Sequence, residues 1–408
     1  MNKRIILSVI ALALFGTSVL HAQTDSLRYS VSGRVIDAVS EGELRGVEVS
    51  VPGPGFTTVT NDDGEFTIKS DAPIGELSFS HLGYKKENLT PEGNRITVRL
   101  SPLSLTLDPA VIVSANPEML VREAVHKVRH NYVDQDELLM CFYRETMRKR
   151  QRYIYVSEAV ARIFKTPYKF GVNRDAAGLD KSRVVLSNRK RDTLSVIFLG
   201  GPTLATNFDI VKNDGILLSD WELNHYTFGM KPPVSIGGRE NFAVTFRPKN
   251  PEDVPYPLYS GTLYIDYETL AFTRIDMSMD VTDEEKASKD ILVRKPAGLR
   301  FHPREVNIVM SYRQDGDKWR LGYARVTMRF ACDWRKRLLQ TNYSCVNELV
   351  VTGVAPEPVP IPREDQFKSR DALSEKAEYF TDPDFWKDYN IIEPTVSLEH
   401  AIDRLKKR

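Results

Sequence analysis

Cysteine is scarce: three residues in 408, at positions 141, 332 and 345. Three thiols cannot build the dense disulfide framework of a small secreted scaffold, so the chain must rely on ordinary apolar cores. Histidine is scarce too, seven in all, and none stands in a His-Glu-x-x-His pair. No Gly-x-Ser-x-Gly element occurs, which removes the usual nucleophile elbow. Net charge is nearly absent, with 56 basic against 55 acidic residues. A neutral chain offers no electrostatic footprint for nucleic acid. Beyond the first 22 residues no apolar run approaches the roughly 20 residues needed to span a bilayer.

What is present starts with a leader. Lys3 and Arg4 precede the apolar run Ile5–Phe15, and Thr17–Ala22 reads as a cleavage region. Residues 1–22 are therefore expected to be a signal peptide, giving an exported chain, periplasmic or associated with an outer membrane. No cysteine follows the apolar run, so no lipid anchor is expected. Removing Lys3 and Arg4 leaves 54 basic and 55 acidic residues.

Residues 23–115 carry about seven short alternating runs separated by turn residues, the pattern of a β-sandwich. Tyr29–Asp37, Val47–Val51, Thr57–Thr60, Glu65–Lys69, Gly75–Ser80 with Leu82–Tyr84, Ile96–Leu100 and Leu107–Val113 are the expected strands. Asn61-Asp62-Asp63-Gly64 reads as a tight hairpin turn, because these residues tolerate positive φ and bond their own backbone. Its acids lack the alternation of an EF-hand, so a turn with solvated carboxylates is preferred to a calcium site. Val31-Ser32-Gly33-Arg34-Val35-Ile36-Asp37, Gly46-Val47-Glu48-Val49, Thr60-Asn61-Asp62-Asp63-Gly64-Glu65-Phe66 and His81-Leu82-Gly83-Tyr84 together resemble the carboxypeptidase-like regulatory domain. That family is a transthyretin-like sandwich, common in exported proteins of Bacteroidetes. The resemblance implies an accessory module and no reaction.

Residues 116–355 are expected to hold one helix and a large antiparallel sheet. Asn116 caps the helix, Pro117 opens it and Glu118 suits its positive end. Val121, Ala124, Val125, Val128 and Tyr132 make its apolar stripe. His126 and His130 flank that stripe as solvated residues. Met147–Tyr155 and Val156–Phe164 read as strands with a basic face at Arg148, Lys149, Arg150 and Arg152. Thr166–Leu186 reads as a loop, and Gly200-Gly201 as a turn lacking the setting of a phosphate loop. From Tyr226 to Val351, alternating segments joined by short turns predict an antiparallel meander. Gly261–Asp266 with Leu270–Ile275 is similar to the half-barrel of periplasmic lipoprotein carriers, which implies a curved sheet around an apolar ligand.

Residues 356–408 open with a Pro-rich linker and end in a helix with Leu398, Ala401, Ile402 and Leu405 on one face. Phe385, Trp386 and Tyr389 are expected to anchor this tail on the body. Phe385–Asn390 also resembles the ends of uncharacterised exported Bacteroidetes proteins carrying the same module.

Two residue pairs invite chemistry. A hairpin centred near Leu338–Leu339 would oppose Cys332 and Cys345, giving either a disulfide or two buried thiols. His302 and Glu305 fit the His-x-x-Glu pattern of zinc carboxypeptidases. Three residues apart on a regular strand they face opposite sides, and the next histidine is His400. No catalytic residue and no cofactor are therefore assigned. The sequence favours a non-catalytic envelope protein whose second part binds an apolar or lipid-like ligand, a glycan or a partner protein. A metal-dependent or carboxylate-based hydrolase and an accessory of a TonB-dependent uptake system are the alternatives.

Overall fold

Period-two burial builds most of the structure. In Glu65–Ser70, Phe66 and Ile68 point inward while Glu65, Thr67 and Lys69 face outward. A computed structural model describes residues 29–52, 55–103, 116–187, 189, 196–198, 200–334, 340–379 and 385–406. The expected leader, the strand at Leu107–Val113 and the hairpin tip at Leu338–Leu339 lie outside the described residues.

Seven strands form the N-terminal sandwich: β1 (Tyr29–Asp37), β2 (Glu48–Ser50), β3 (Thr57–Val59), β4 (Glu65–Ser70), β5 (Leu77–Ser80), β6 (Glu87–Leu89) and β7 (Arg95–Leu100). One sheet has the order β4-β1-β7 and the other β3-β2-β5-β6. Val35, Val47, Val49, Ile68 and Phe79 meet between them with no exposed surface. The Asn61–Gly64 turn is not a hairpin, because β3 pairs with β2 and β4 pairs with β1. It is an arch from one sheet to the other. The Asn61 side chain accepts the N–H groups of Asp63 (2.9 Å) and Glu65 (2.8 Å). Gly64 turns the chain at φ 72, and a Cβ there would lie 2.6 Å from the Val35 carbonyl. That close approach lets the arch lie on β1.

Helix α1 (Pro117–Asn131) starts as expected, with Asn116 accepting from the N–H groups of Glu118 and Met119. After it come β8 (Glu137–Lys149), β9 (Arg152–Lys165), β10 (Ala176–Leu186) and the short β11 (Ile197–Phe198). Next are α2 (Leu204–Asn207), α3 (Asp220–Leu223), β12 (Tyr226–Ile236), β13 (Arg239–Pro248), β14 (Tyr259–Asp266), β15 (Phe272–Met279) and α4 (Glu284–Ile291). Then β16 (Leu292–Arg294), β17 (Leu299–Asp315), β18 (Lys318–Trp334) and β19 (Thr341–Val354) follow. The chain closes with β20 (Gln366–Phe367), α5 (Leu373–Lys376), β21 (Glu378–Tyr379) and α6 (Val396–Lys406).

Strands β12-β13-β14-β15-β17-β18-β19-β8-β9-β10-β20 run side by side in a 12-stranded sheet, with β21 paired to β10. The sheet is curved, antiparallel along this path and open. Its inner face packs against α1 and the segment from Leu204 to Leu223 in the largest apolar core. Its outer face, at β8, β9, β18 and β19, packs against Val59 of the sandwich and against Phe385, Trp386, Ile391 and Ile392 of the tail. Helix α6 seats Leu398 and Ile402 on Val156 and Val185.

Two expectations change in β8–β10. The basic run from Arg148 to Arg152 flanks the β8–β9 hairpin turn, with Arg150 at φ 58, and does not form a sheet face. Arg148 instead stacks over the Tyr153 ring. Residues 176–186 form β10, which was expected to be loop. Its polar residues are matched across the ladder and by the tail: Asp180 with Arg162, Arg183 with Glu158, and Lys181 with the Phe385 carbonyl.

Candidate functional site

The inner face is filled unevenly. Over β12 to β18 it is packed with large side chains, among them Tyr132, Tyr226, Phe246 and Phe272, all essentially without exposure. Aromatic side chains occupy this part of the inner face. Towards β8, β9 and the end of β10 the cover thins to the β11–β16 ribbon and α5. There a cleft of about 410 Å³ remains. Met147, Ile154, Leu186, Val196, Phe198 and Leu373 give it apolar walls. The Arg294–Glu375 ion pair (2.8 Å) stands among its lining residues.

A carboxyl on β8 is set into the wall. On β8 the inward positions are Leu139, Cys141, Tyr143, Glu145 and Met147, so the alternation that buries the apolar residues also points Glu145 into the cleft. The Tyr143 hydroxyl donates to Glu145 Oε2 at 3.0 Å, lies 3.2 Å from Asn347 Oδ1 and accepts the Gly201 N–H at 3.0 Å. Gly201 sits at φ 68, and a Cβ there would meet the Phe367 ring at 2.6 Å. Glycine is needed for this backbone donor to reach Tyr143. Burial pushes the Glu145 carboxyl up to about 7, and the bond from Tyr143 offsets only part of that. Burial likewise raises the Tyr143 and Tyr155 phenols and the Cys345 thiol well above their ordinary values, with the neighbouring Glu145 charge adding to it. No ion pair to Glu145 exists among the described residues. The wall is rigid, since β8 is paired along its length with β9 and β19.

Two other charged clusters are closed to ligands. Lys165 lies 2.6 Å from Asp209, which accepts from Tyr168 and Tyr312 at 2.9 Å each. Lys165 and Asp209 have no exposed side-chain surface. On the outer face Glu158 receives Arg144, Arg183 and the Trp386 indole N–H. Both clusters tie covering segments to the sheet.

The pairs singled out in sequence are not brought together as catalytic or metal groups. A bulge between Pro303 and Glu305 shifts the alternation, so His302 and Glu305 share one face of β17 despite their spacing. They nevertheless serve different partners. His302 Nδ1 is 2.7 Å from Glu284 Oε2, while Glu305 accepts from Asn307 at 2.7 Å. Among the described residues no group of three or more His, Cys, Asp or Glu side chains is placed to hold a metal ion. Cys332 stands opposite Thr341, and Cys345 opposite Met328, so the hairpin turns earlier than the opposed-cysteine register requires. All three cysteines are buried free thiols. Without reductant, thiol titration should therefore find three reactive groups per unfolded chain and almost none in the folded protein. A Cys332–Cys345 disulfide would leave only one on unfolding.

Glu145 and Tyr143 were missed as site residues. The available signal was an acid at an inward position of an otherwise apolar alternation, which costs free energy unless a partner or ligand meets it. The partners come from Gly201 and Asn347, more than 50 and about 200 residues away, and local pattern cannot supply them.

Residues 31–112 match the model of the CarboxypepD_reg-like domain family. The N-terminal sandwich is thus a CarboxypepD_reg-like domain, followed by a separate β-rich region. No curated protein matches the chain. Among solved structures, a Vibrio parahaemolyticus domain described as an outer membrane lipoprotein-sorting protein is 14% identical, over 61% of this chain and 97% of that one, with a TM-score of 0.27. A DUF1329 family protein from Desulfovibrio piger is 12% identical over 58% and 92%, with a TM-score of 0.25. A LolA superfamily protein from Nitrosomonas europaea is 8% identical over 62% and 99%, with a TM-score of 0.20. Among the described residues no helix is long and apolar enough to cross a membrane.

Proposed function

We propose that this chain is a non-catalytic binding protein of the cell envelope, which holds an apolar or lipid-like ligand in the cleft between β8, β9, the β11–β16 ribbon and α5. In this reading residues 1–22 direct export, the sandwich of residues 23–115 is an adaptor, residues 116–355 carry the ligand and residues 356–408 join the two. The observation that carries it is the cleft. Its volume of about 410 Å³ lies within the roughly 300–1,000 Å³ usual for small-molecule sites. Apolar side chains line it together with three carboxyls; among the described residues Asp371 and Glu375 are ion-paired and Glu145 has no such partner. A gap with so much apolar lining favours a ligand, because empty apolar space forfeits both dispersion and burial.

Binding of a neutral naphthylamine fluorophore tests the reading. The fluorophore should bind with a blue-shifted, enhanced emission. Ser374→Trp, which places an indole at a half-buried position of the cleft lining, should weaken it about tenfold or more while leaving the melting temperature nearly unchanged. Equal binding by the variant would remove the cleft from consideration. Organic extraction of the purified protein, followed by mass spectrometry, should return an apolar molecule that Ser374→Trp retains poorly.

A further inference from the structure

Among the described residues, the cleft contains an acid without a matching cation. Glu145 on β8 has one hydrogen-bond donor, Tyr143, and no basic side chain within ion-pair distance among the described residues. The groups near it are Tyr143 from the same strand, Tyr155 from β9, and Cys345 and Asn347 from β19. None of these carries positive charge. Among the cleft's other charged residues, Arg294 of β16 is held by Glu375 of α5, and Asp371 is held by Lys376 at 2.7 Å. Among the described residues no cation is therefore left over for Glu145.

Buried carboxylates in folded proteins are met by a cation or by several hydrogen-bond donors, because desolvation otherwise drives them neutral. Here the protein supplies one donor and leaves the rest of the carboxyl facing space that a ligand can fill. We infer that the cleft is built for an amphiphile with an apolar body and a cationic amine head, the ammonium seated on the Glu145 carboxylate. This rests on the cleft reading above and names its ligand class. An alkyl carboxylate would bring a second negative charge into the same low-dielectric space and be rejected. An alkyl alcohol could hydrogen-bond to Glu145 in either protonation state and would fall between the two.

The proton balance is definite. In the empty cleft burial holds Glu145 partly protonated near neutral pH, with its carboxyl pushed up to about 7. An arriving ammonium stabilises the carboxylate, so the Glu145 proton leaves to solvent as the amine binds. Below about pH 7 each bound amine therefore releases up to one proton, and at clearly alkaline pH it releases none from this group.

The test uses the full mature chain and three probes of one chain length: decylamine, decanol and decanoate, each displacing the neutral fluorophore. Near neutral pH decylamine should bind at least about tenfold tighter than decanoate. Glu145→Gln keeps the side chain's shape and its contact with Tyr143 while removing the charge. It should melt no lower than the parent and should reduce the amine preference to within about threefold. Calorimetry at about pH 6, in two buffers of different ionisation enthalpy, should show proton release with decylamine in the parent and none in Glu145→Gln. Equal or tighter binding of decanoate, or an amine preference that survives Glu145→Gln, would overturn the assignment while leaving an apolar cleft in place. If none of the three displaces the fluorophore, the cleft reading itself falls, and this assignment with it.

Discussion

Replacing Asp209 by Ala should cost this protein roughly 3–5 kcal/mol, because it strands a buried ammonium. Asp209 and Lys165 are fully buried, 2.6 Å apart, and among the described residues the one other carboxylate within ion-pair distance of Lys165 is Asp175, at 3.8 Å. Asp175 already serves Lys212 at 2.5 Å. Without Asp209, two buried lysines share one acid, and the Tyr168 and Tyr312 hydroxyls lose their acceptor. Burial alone would lower the Lys165 pKa, but Asp209 and Asp175 outweigh it and hold the ammonium above its ordinary value. The sign of the pH dependence then differs between parent and variant. In the parent, a raised Lys165 pKa gives stability that is present below about 10.5 and lost only as pH rises beyond it. In Asp209→Ala, burial dominates and the folded-state pKa drops below that of the unfolded chain. The unfolded state then binds more protons, so stability rises with pH through the lowered value. Urea unfolding near pH 7 and again near pH 10 should show a gap that narrows at the higher pH. A gap unchanged between the two would mean that Lys165 stays protonated in the variant, its pKa not lowered by the loss of Asp209. The local consequence is also definite: the segment from Leu204 to Leu218, held by Lys165 on the Ala205 carbonyl and by Tyr312 on the Val211 N–H, should exchange its amide hydrogens faster.

Much of this fold was legible because its strands obey a period of two and its turns use residues with their own reasons to turn. Tyr29–Asp37 and the Asn116–Pro117 helix start came out at their observed boundaries. Gly316 at φ 62 closes the β17–β18 hairpin with one of the short turns expected between the alternating segments. The errors share a cause, which is that pairing partners are chosen by tertiary contacts. Asn61–Gly64 has every feature of a hairpin turn, yet its flanking strands find partners in different sheets. Residues 176–186 look like loop because Asp180, Lys181, Ser182 and Arg183 interrupt the apolar pattern, and only Arg162, Glu158 and Phe385 make them a strand. Register is equally non-local. A few residues in the position of one turn separate Cys332 from Cys345, and one bulge at Arg304 reverses the facing of His302 and Glu305. For the candidate site the lesson is sharper. The apolar alternation of β8 was readable, but that no cation of the described residues reaches Glu145 is a property of separated segments and emerges only when they are assembled.

The same dependence on distant segments makes the tail the second place where one substitution should have a large effect. Trp386→Ala should cost about 3–5 kcal/mol, the usual loss for a buried tryptophan, because its indole joins three parts of the molecule. It packs edge-on against Phe142 of β8 at 5.6 Å, and Phe385 lies 4.5 Å from it. Its N–H reaches Glu158 at 2.9 Å, and its carbonyl accepts the Lys69 ammonium at 2.8 Å. Glu158 is the hub on the sheet side. Burial would raise its pKa, but Arg144, Arg183 and the Trp386 N–H together hold it below its ordinary value. That contribution is present above about pH 4.5 and is lost as pH falls, so Trp386→Ala should also move acid unfolding to a higher pH. On the sandwich side, Asn390 brackets Lys69 with two backbone bonds of 2.7 and 3.0 Å, and Thr58 donates to the Ile391 carbonyl at 2.8 Å. The tail therefore transmits any loosening from β9 and β10 to β3 and β4. Hydrogen exchange should speed up in all four strands in Trp386→Ala, whereas Asn390→Ala should affect β4 and leave the Glu158 cluster protected. Acceleration confined to the tail itself would mean that the sandwich is held to the sheet by Arg313 on Thr57, Arg325 on Asp62 and the Gly83 N–H on the Ser235 carbonyl. The sandwich would then be fixed to the sheet independently of the tail.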